Sequence, residues 1–255
     1  GGVLDKYHSS NSNWFIYGSE TASAVNSRGI YYRTTGGSQT SDKQLTSYDN
    51  SAVGWGATAS NAWYTVLTRD FAAGEYVWTG FDYLGEPTPY DNFWPSRSSY
   101  FGMCDLAGLP KDRYYLYRSR WNTKDETLHI LPHWTWPGRE GEVTPVFVYT
   151  NYNSAELFVN GKSQGIQKKN NDTKQNRYRL MWMNVKYEPG TIKVVAYDDA
   201  GKVVAEKSVT TAGKPCGIRL EADRKTISAN GDDLCYVTAT IVDKNGIPCP
   251  TASNQ

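Results

Sequence analysis

The feature that most constrains the fold is a change in the spacing of apolar residues near residue 121. Before it, short apolar runs alternate with helical patterns; from about residue 127, the chain carries only short alternating strands and tight turns. Alternating strands and helices form a parallel sheet or a barrel, whereas successive short strands form antiparallel sheets. The sequence therefore predicts at least two units of different structural class.

The first unit has the pattern of an α/β fold. Residues 14–17 (WFIY) and 75–81 (EYVWTGF) are short apolar runs typical of buried strands. Between them, residues 60–73 carry apolar side chains at helical spacing, and Gly74 is a candidate helix stop. A second helix is predicted over residues 111–121. This order predicts that the two strands are adjacent and parallel.

The second unit has the pattern of an antiparallel β-sandwich. The pair Asn160 and Gly161 is the residue combination that a type I′ hairpin turn requires. The predicted strands cover residues 145–150, 155–159, 191–197 and 203–207. After Gly213, only residues 218–222 and 234–242 look like strands, which is too few to bury a core. We therefore expect a third unit that is truncated or completed by residues elsewhere.

Composition excludes several classes of function. Lys and Arg number 27 against 26 Asp and Glu, without long runs of one sign, so we expect no nucleic-acid partner. No apolar run approaches the roughly 20 residues that cross a bilayer, so we expect no membrane span. The 9 Trp, 19 Tyr and 7 Phe are typical of surfaces that bind sugars as well as of protein cores. Residues 34–59, rich in Ser, Thr, Gly and Asn, predict a long functional or disordered loop.

Neither a metal nor another cofactor is expected. The three histidines are scattered, and the cysteines lack the C-x-x-C spacing of zinc sites. A disulfide among the last three cysteines is left open. The four cysteines are Cys104, Cys216, Cys235 and Cys249.

Candidate site residues lie after the two predicted strands of the first unit. Glu20 follows the first strand, and the carboxyl ends of β/α strands commonly carry catalytic groups, although a solvated carboxylate is the simpler interpretation. Alternation along residues 75–81 places Trp78 and Asp82 on one face. Core packing of Trp78 fits equally well. For Asp82 and Asp105, a loop cap or an arginine partner is the alternative to a role in a site.

At these residues the sequence resembles the β-galactosidase branch of glycoside hydrolase family 2. Residues 15–23 (FIYGSETAS) resemble the stretch around the family's nucleophile, at the end of the seventh barrel strand. Residues 74–90 (GEYVWTGFDYLGEPTPY) and 98–112 (SSYFGMCDLAGLPKD) are similar to the eighth strand with its loop and to the final barrel loop. Residues 131–134 (LPHW) and 156–163 (ELFVNGKS) resemble the following sandwich domain.

The resemblance implies a fold of three parts. Residues 1–124 would be the C-terminal part of a (β/α)8 barrel, and residues 125–213 a β-sandwich domain. Residues 214–255 would begin an immunoglobulin-like domain, truncated at the chain end. The chain begins without Met or a signal-like leader, so we expect a fragment of a longer enzyme, located in the periplasm or outside the cell.

The resemblance also implies residue roles. Glu20 would be the nucleophile of a retaining β-galactosidase, with Arg28 and nearby tyrosines as its hydrogen-bond donors. Trp78 would form the floor of the galactose subsite, which Asp82, Phe101 and Asp105 would also line. The family's acid/base glutamate lies in an Asn-Glu pair, and the sequence contains none. We therefore expect the missing N-terminal part of the same enzyme to be a partner, a β-galactoside to be the ligand, and this chain alone to be inactive.

Two alternatives remain open at this point. Another activity of the same family, β-glucuronidase or β-mannosidase, would share the barrel and the nucleophile but bind a different sugar. A glucuronidase would need additional cationic contacts to the sugar carboxylate. A non-catalytic module would use its aromatic residues to bind carbohydrate or act as a spacer, with Glu20 only structural.

Overall fold

The computed structural model describes residues 2–31, 43–92 and 98–253. The helices are α1 (Gly2–Ser10), α2 (Ala59–Leu67) and α3 (Asp112–Trp121), and none of these described helices is long and apolar enough to cross a membrane. The strands are β1 (Ile16–Ala22), β2 (Ala72–Trp78), β3 (Leu128–Leu131), β4 (Val146–Thr150), β5 (Ser154–Val159), β6 (Lys162–Lys168), β7 (Leu180–Trp182), β8 (Thr191–Tyr197), β9 (Val203–Thr210), β10 (Pro215–Ala222) and β11 (Val237–Asp243).

The first unit contains a parallel pair of strands joined through α2. Strands β1 and β2 pair in parallel, which confirms the prediction for these two segments. The predicted helix over 60–73 is too long, since α2 ends at Leu67 and Gly74 lies within β2. Pairing of Ile16 with Ala72 and of Tyr17 with Gly74 recruits these residues into the sheet. The further strands of a (β/α)8 barrel stay a prediction.

Strand β1 also differs from its prediction. It runs from Ile16 to Ala22 rather than over residues 14–17. Glu20 therefore lies inside the strand near its carboxyl end, not after it. The reason is that pairing with β2 continues through Thr21 and Ala22, beyond the apolar run that the sequence pattern marks.

The second unit consists of two antiparallel sheets that enclose a core. One sheet has the order β3-β4-β7 and the other β6-β5-β8-β9. Asn160 and Gly161 have φ values of 50° and 78° between β5 and β6, which confirms the predicted hairpin turn. The core holds side chains from both sheets, among them Val146, Val148, Leu157, Leu180, Trp182, Ile192 and Val194. Sandwich-like sheets are thus as predicted.

The sheet β3-β4-β7 is buried on both faces. Every residue of β4 is buried. Val146 and Val148 face the sandwich core, and the alternate residues Phe147 and Tyr149 belong to a second core. That second core is completed by helix residues, including Trp63 from α2 and Leu116 and Tyr117 from α3. The sheet therefore packs the sandwich against the helices of the first unit.

A buried ion pair reinforces this contact. Arg179, just before β7, donates to Asp49 Oδ2 at 3.0 Å and to the Ser60 hydroxyl. Its guanidinium also lies 5.4 Å from the ring centre of Tyr149. Asp49 belongs to the predicted long loop, whose described part, residues 43–58, contributes buried residues such as Tyr48 and Val53. Residues 34–42 of that loop lie outside the described residues.

Strands β10 and β11 form a separate two-stranded sheet. Ile218 and Leu220 are 70% and 65% exposed, as expected for a pair of strands too small to bury a core. Asp243 Oδ2 accepts the Gly213 N–H at 2.8 Å where this sheet meets the preceding unit. All four cysteines are unbonded, so the disulfide left open by the sequence is not formed. The domain boundaries at 124 and 213 stay predictions.

Candidate functional site

Glu20 and Trp78 lie at the same end of the parallel strand pair. Ala22 is opposite Trp78 in the register, and Glu20 precedes Ala22 by two residues. Glu20 is exposed, and Trp78 is 41% exposed, so the described residues do not bury the indole in a core. The register therefore brings an accessible carboxylate and an accessible aromatic platform together.

The chain turns sharply directly after Glu20. Ala22 and Ser23 have φ values of 66° and 52°, which are uncommon for residues with a side chain and cluster at functional sites. Gly56 allows the close approach, because a Cβ there would come within 2.6 Å of the Ala22 carbonyl oxygen. The turn directs the Ser23 hydroxyl to Glu20, where it donates to Oε1 at 3.3 Å.

Arg28 does not serve as a donor to Glu20. Its Nε donates to Asp105 Oδ2 at 2.6 Å. The sequence-based expectation for Arg28 is therefore wrong in this respect, since a carboxylate from the last loop captures the guanidinium. Ser23 takes the place that Arg28 was expected to fill.

A chain of hydrogen bonds runs from Trp78 to Glu86. The Trp78 indole Nε1–H donates to the Tyr83 hydroxyl at 3.2 Å, and that hydroxyl donates to Glu86 Oε2 at 3.1 Å. Burial raises the pKa of Tyr83, and the nearby charges of Glu86 and Glu20 raise it further. Hydrogen bonding to Thr88 lowers the pKa of Glu86. Glu86 is thus an ionised acceptor and Tyr83 a protonated donor at neutral pH.

Asp82 lies in a buried ion pair beneath this end of the strands. Its side chain is 7% exposed, with Lys111 Nζ 2.7 Å from Oδ2 and the Gly102 N–H donating to Oδ1 at 2.8 Å. Lys111 also donates to the Asn26 carbonyl at 2.8 Å, and burial lowers the pKa of Lys111 to about 8. Asp82 therefore holds the last loop against the strands. Its direct contact with a sugar stays a prediction.

Asp105 has the two structural roles that the sequence left open. Its Oδ1 accepts the N–H groups of Ala107 and Leu109 at 3.0 and 2.9 Å, and its Oδ2 pairs with Arg28. Phe101 is 4% exposed and packs with Val25, Leu45 and Val53. A lining role for Asp105 and Phe101 in a sugar subsite stays a prediction, and the described contacts show a loop cap and a core ring.

Sequence reasoning missed Ser23 and Tyr83 as neighbours of the predicted nucleophile and platform. Tyr83 is one of 19 tyrosines, and no spacing distinguishes it from the others. Ser23 follows Glu20 by three residues, but only the left-handed turn brings its hydroxyl back to the carboxylate. Within the described ranges, no group of three or more His, Cys, Asp or Glu could hold a metal ion.

Comparison with known proteins identifies similar chains. Residues 218–255 match glycoside hydrolase family 2 C-terminal domain 5, and residues 141–205 match a domain of unknown function (DUF4982). The chain is 52% identical over 82% of its length to the β-galactosidase BoGH2A of Bacteroides ovatus. It is 36% identical, again over 82% of its length, to a putative β-glucuronidase of Formosa agariphila. The chain spans only 23% and 20% of these two relatives.

Solved structures agree with this grouping. A β-glycosidase from Bacteroides vulgatus superposes on 98% of the chain, with a TM-score of 0.84 and 31% identity. A family 2 member from Bacteroides cellulosilyticus superposes on 96%, with a TM-score of 0.72 and 28% identity. The chain covers 34% and 31% of those two proteins. With a strand pair that presents a carboxylate beside an indole, and with these relatives, the chain belongs to glycoside hydrolase family 2.

Proposed function

We propose that this chain carries the nucleophile and the sugar platform of a retaining β-galactosidase. The observation that carries the proposal is the placement of exposed Glu20 and exposed Trp78 at one end of a parallel strand pair. An aromatic face packs against the C–H face of a hexose, and a carboxylate beside it can reach the anomeric carbon. The 52% identity to a β-galactosidase favours galactose as the sugar.

The proposed reaction needs two carboxyl groups about 5–5.5 Å apart. Glu20 attacks the anomeric carbon and forms a glycosyl ester while the glycosidic C–O bond breaks. A second carboxylic acid gives its proton to the departing oxygen, then removes a proton from the water that hydrolyses the ester. The sequence lacks the Asn-Glu pair of the family's acid/base residue, so another part of the enzyme supplies it. We expect this chain alone to be inactive.

The cations near the site support a neutral sugar. Arg28 is paired with Asp105, and Lys111 with Asp82. A cation already neutralised by a neighbouring carboxylate is a poor partner for the carboxylate of a glucuronide. Within the described residues, these pairings favour a galactoside over a glucuronide.

β-Glucuronidase is the second candidate because the Formosa agariphila relative carries that putative assignment at 36% identity. It would use the same nucleophile and platform, so the two candidates differ in the groups that contact the sugar substituents. β-Mannosidase and a non-catalytic carbohydrate-binding module stay weaker alternatives, since no relative named above supports them.

The test compares aryl β-D-galactoside, β-D-glucuronide and β-D-mannoside as substrates of the full-length enzyme. We expect the galactoside to be hydrolysed with the highest kcat/KM. Glu20→Gln should lower turnover by several orders of magnitude because it removes the attacking charge but keeps the side-chain shape. Glu142→Gln, which alters an exposed carboxylate paired with Arg139, is the matched control and should leave turnover unchanged. Near-normal turnover of Glu20→Gln would contradict the proposal.

The remaining proposals concern the whole protein. Residues 1–124 would complete a (β/α)8 barrel with the N-terminal part of the enzyme, and residues 125–213 would form the sandwich domain. Residues 214–255 would begin an immunoglobulin-like domain. A periplasmic or extracellular location would give the enzyme access to glycan substrates.

A further inference from the structure

The Tyr83 hydroxyl occupies a position that the proposed chemistry does not yet use. It contacts the Trp78 indole nitrogen at 3.2 Å and a Glu86 carboxylate oxygen at 3.1 Å. The two rings meet edge to face, with centroids 5.9 Å apart and planes at 85°. Tyr83 therefore contacts the proposed platform through both its ring and its hydroxyl.

The direction of these hydrogen bonds is fixed by chemistry. An ionised carboxylate can only accept, so Tyr83 must donate its proton to Glu86. An indole N–H can only donate, so it must use a lone pair of the Tyr83 oxygen. The Thr88 N–H donates to Glu86 Oε1 at 2.8 Å and holds the carboxylate in place. The three side chains thus form a one-way chain with a backbone anchor.

Tyr83 itself is held rigidly. Its N–H donates to the Ser99 hydroxyl at 3.1 Å, and its carbonyl accepts the Ser99 N–H at 2.8 Å. Its ring lies nearly parallel to that of buried Phe101, with centroids 6.5 Å apart. A fixed backbone and a stacked ring leave the hydroxyl little freedom, so it can define the orientation of a neighbouring side chain.

We propose that Tyr83, anchored by Glu86, is a positioning residue that sets the plane of the Trp78 indole on which the sugar rests. This inference rests on the proposed function, because it assigns Trp78 the platform role. A half-exposed indole with no bond to its nitrogen can tilt about its side-chain torsions, and a small misplacement of a bound substrate costs rate. Tyr83 touches neither substrate nor reacting atoms in this role, since it acts through Trp78.

The test is a double-mutant cycle on kcat/KM in the full-length enzyme with an aryl β-D-galactoside. Tyr83→Phe keeps the ring but removes the hydroxyl, and should lower kcat/KM about threefold to tenfold, the size of one hydrogen bond. Trp78→Phe keeps an aromatic platform but removes the N–H. In the Trp78→Phe background, Tyr83→Phe should change kcat/KM less than about twofold, because the bond it breaks is already absent.

Two further variants protect the cycle. Tyr90→Phe is the matched control, because the buried Tyr90 hydroxyl has no hydrogen-bond partner among the described residues, and it should leave kcat/KM unchanged. Glu86→Ala removes the anchor without touching either ring and should show the same dependence on the Trp78 indole. It keeps the test valid if Tyr83→Phe lowers the yield of folded enzyme.

The outcomes separate this inference from the proposed function. Losses that multiply independently in the double variant, or a Tyr83→Phe enzyme with unchanged kcat/KM, would overturn the positioning role. Loss of activity in Glu20→Gln would still uphold the proposed function in that case. Full activity of Glu20→Gln would instead overturn the proposed function, whatever the cycle shows.

Discussion

Replacing Arg179 by Met should destabilise the contact between the sandwich and the first unit. Arg179 and its partner Asp49 are both almost fully buried, with side chains 1% and 0% exposed. Arg179→Met keeps much of the aliphatic volume but removes the donors to Asp49 Oδ2 and to the Ser60 hydroxyl. The second Asp49 oxygen has no hydrogen-bond partner among the described residues, so the variant leaves a nearly bare buried carboxylate.

The expected loss is large for one substitution. Removing one partner of a buried ion pair costs about 3–5 kcal/mol, because the remaining charge is neither solvated nor paired. Lys193→Met is the matched control: Lys193 pairs with Glu206 at 2.6 Å in the same sandwich, but the side chains are 42% and 48% exposed. An exposed pair contributes about 0–1 kcal/mol. The two variants should therefore differ several-fold in their effect.

Hydrogen exchange measured by mass spectrometry provides the assay, because it reports opening free energies for individual segments of a large protein. Arg179→Met should accelerate exchange in α2 and β7, whereas Lys193→Met should not. Combining Arg179→Met with Asp49→Asn should recover part of the loss, since no charge is then left unpaired. Equal effects of the two single variants, or no recovery in the double variant, would refute this role of Arg179.

Two other predictions concern protonation and close approach. Burial lowers the pKa of His133 to about 4, so the unfolded state, with a His pKa of about 6.5, takes up the proton first as the pH falls. Stability should therefore decrease by about 2 kcal/mol from pH 7 to pH 5, and His133→Phe, unlike the exposed-site control His8→Gln, should remove that decrease in denaturant titrations. Gly56→Ala should cost about 1–3 kcal/mol and lower kcat/KM by disturbing the turn after Glu20, as measured by thermal unfolding and kinetics. Gly54→Ala, where an added Cβ meets no atom within 4 Å, should have neither effect.

The elements that the sequence predicts well are those whose signals are local. The Asn160 and Gly161 turn forms as expected, because a type I′ turn depends on the φ values that these two residues tolerate. Strand β8 has the predicted bounds of Thr191–Tyr197, since its alternation matches one buried and one open face. Parallel pairing of β1 and β2 follows from the helix between them.

The elements that the sequence predicts poorly depend on distant partners. The length of α2 is decided by β1, which draws residues after Leu67 into the sheet. The pairing of Arg179 with Asp49 joins residues 130 positions apart, and neither residue type in isolation indicates burial. A continuous apolar run such as β4 does signal burial on both faces, but it does not show which helices cover the second face.

The candidate site shows the same division. The family-like stretches around Glu20 and Trp78 mark the two residues, and the strand register brings them to one end. Their supporting groups could not be predicted, because the Ser23 contact depends on a left-handed turn and the Tyr83 contact on the path of a loop. Arg28 pairs with Asp105 because the last loop passes close to it in space, 77 residues later in sequence.

Covalent trapping of the nucleophile is the most direct test of the central claim. A 2-deoxy-2-fluoro-β-galactoside with a good leaving group slows hydrolysis of the glycosyl ester, so the label stays on the attacking residue. Digestion of the labelled full-length enzyme and mass spectrometry should place the 2-fluorogalactosyl group on Glu20, and the Glu20→Gln enzyme should remain unlabelled. A label on another residue, or no label on an enzyme that hydrolyses aryl β-galactosides, would contradict the assignment of Glu20 as the nucleophile.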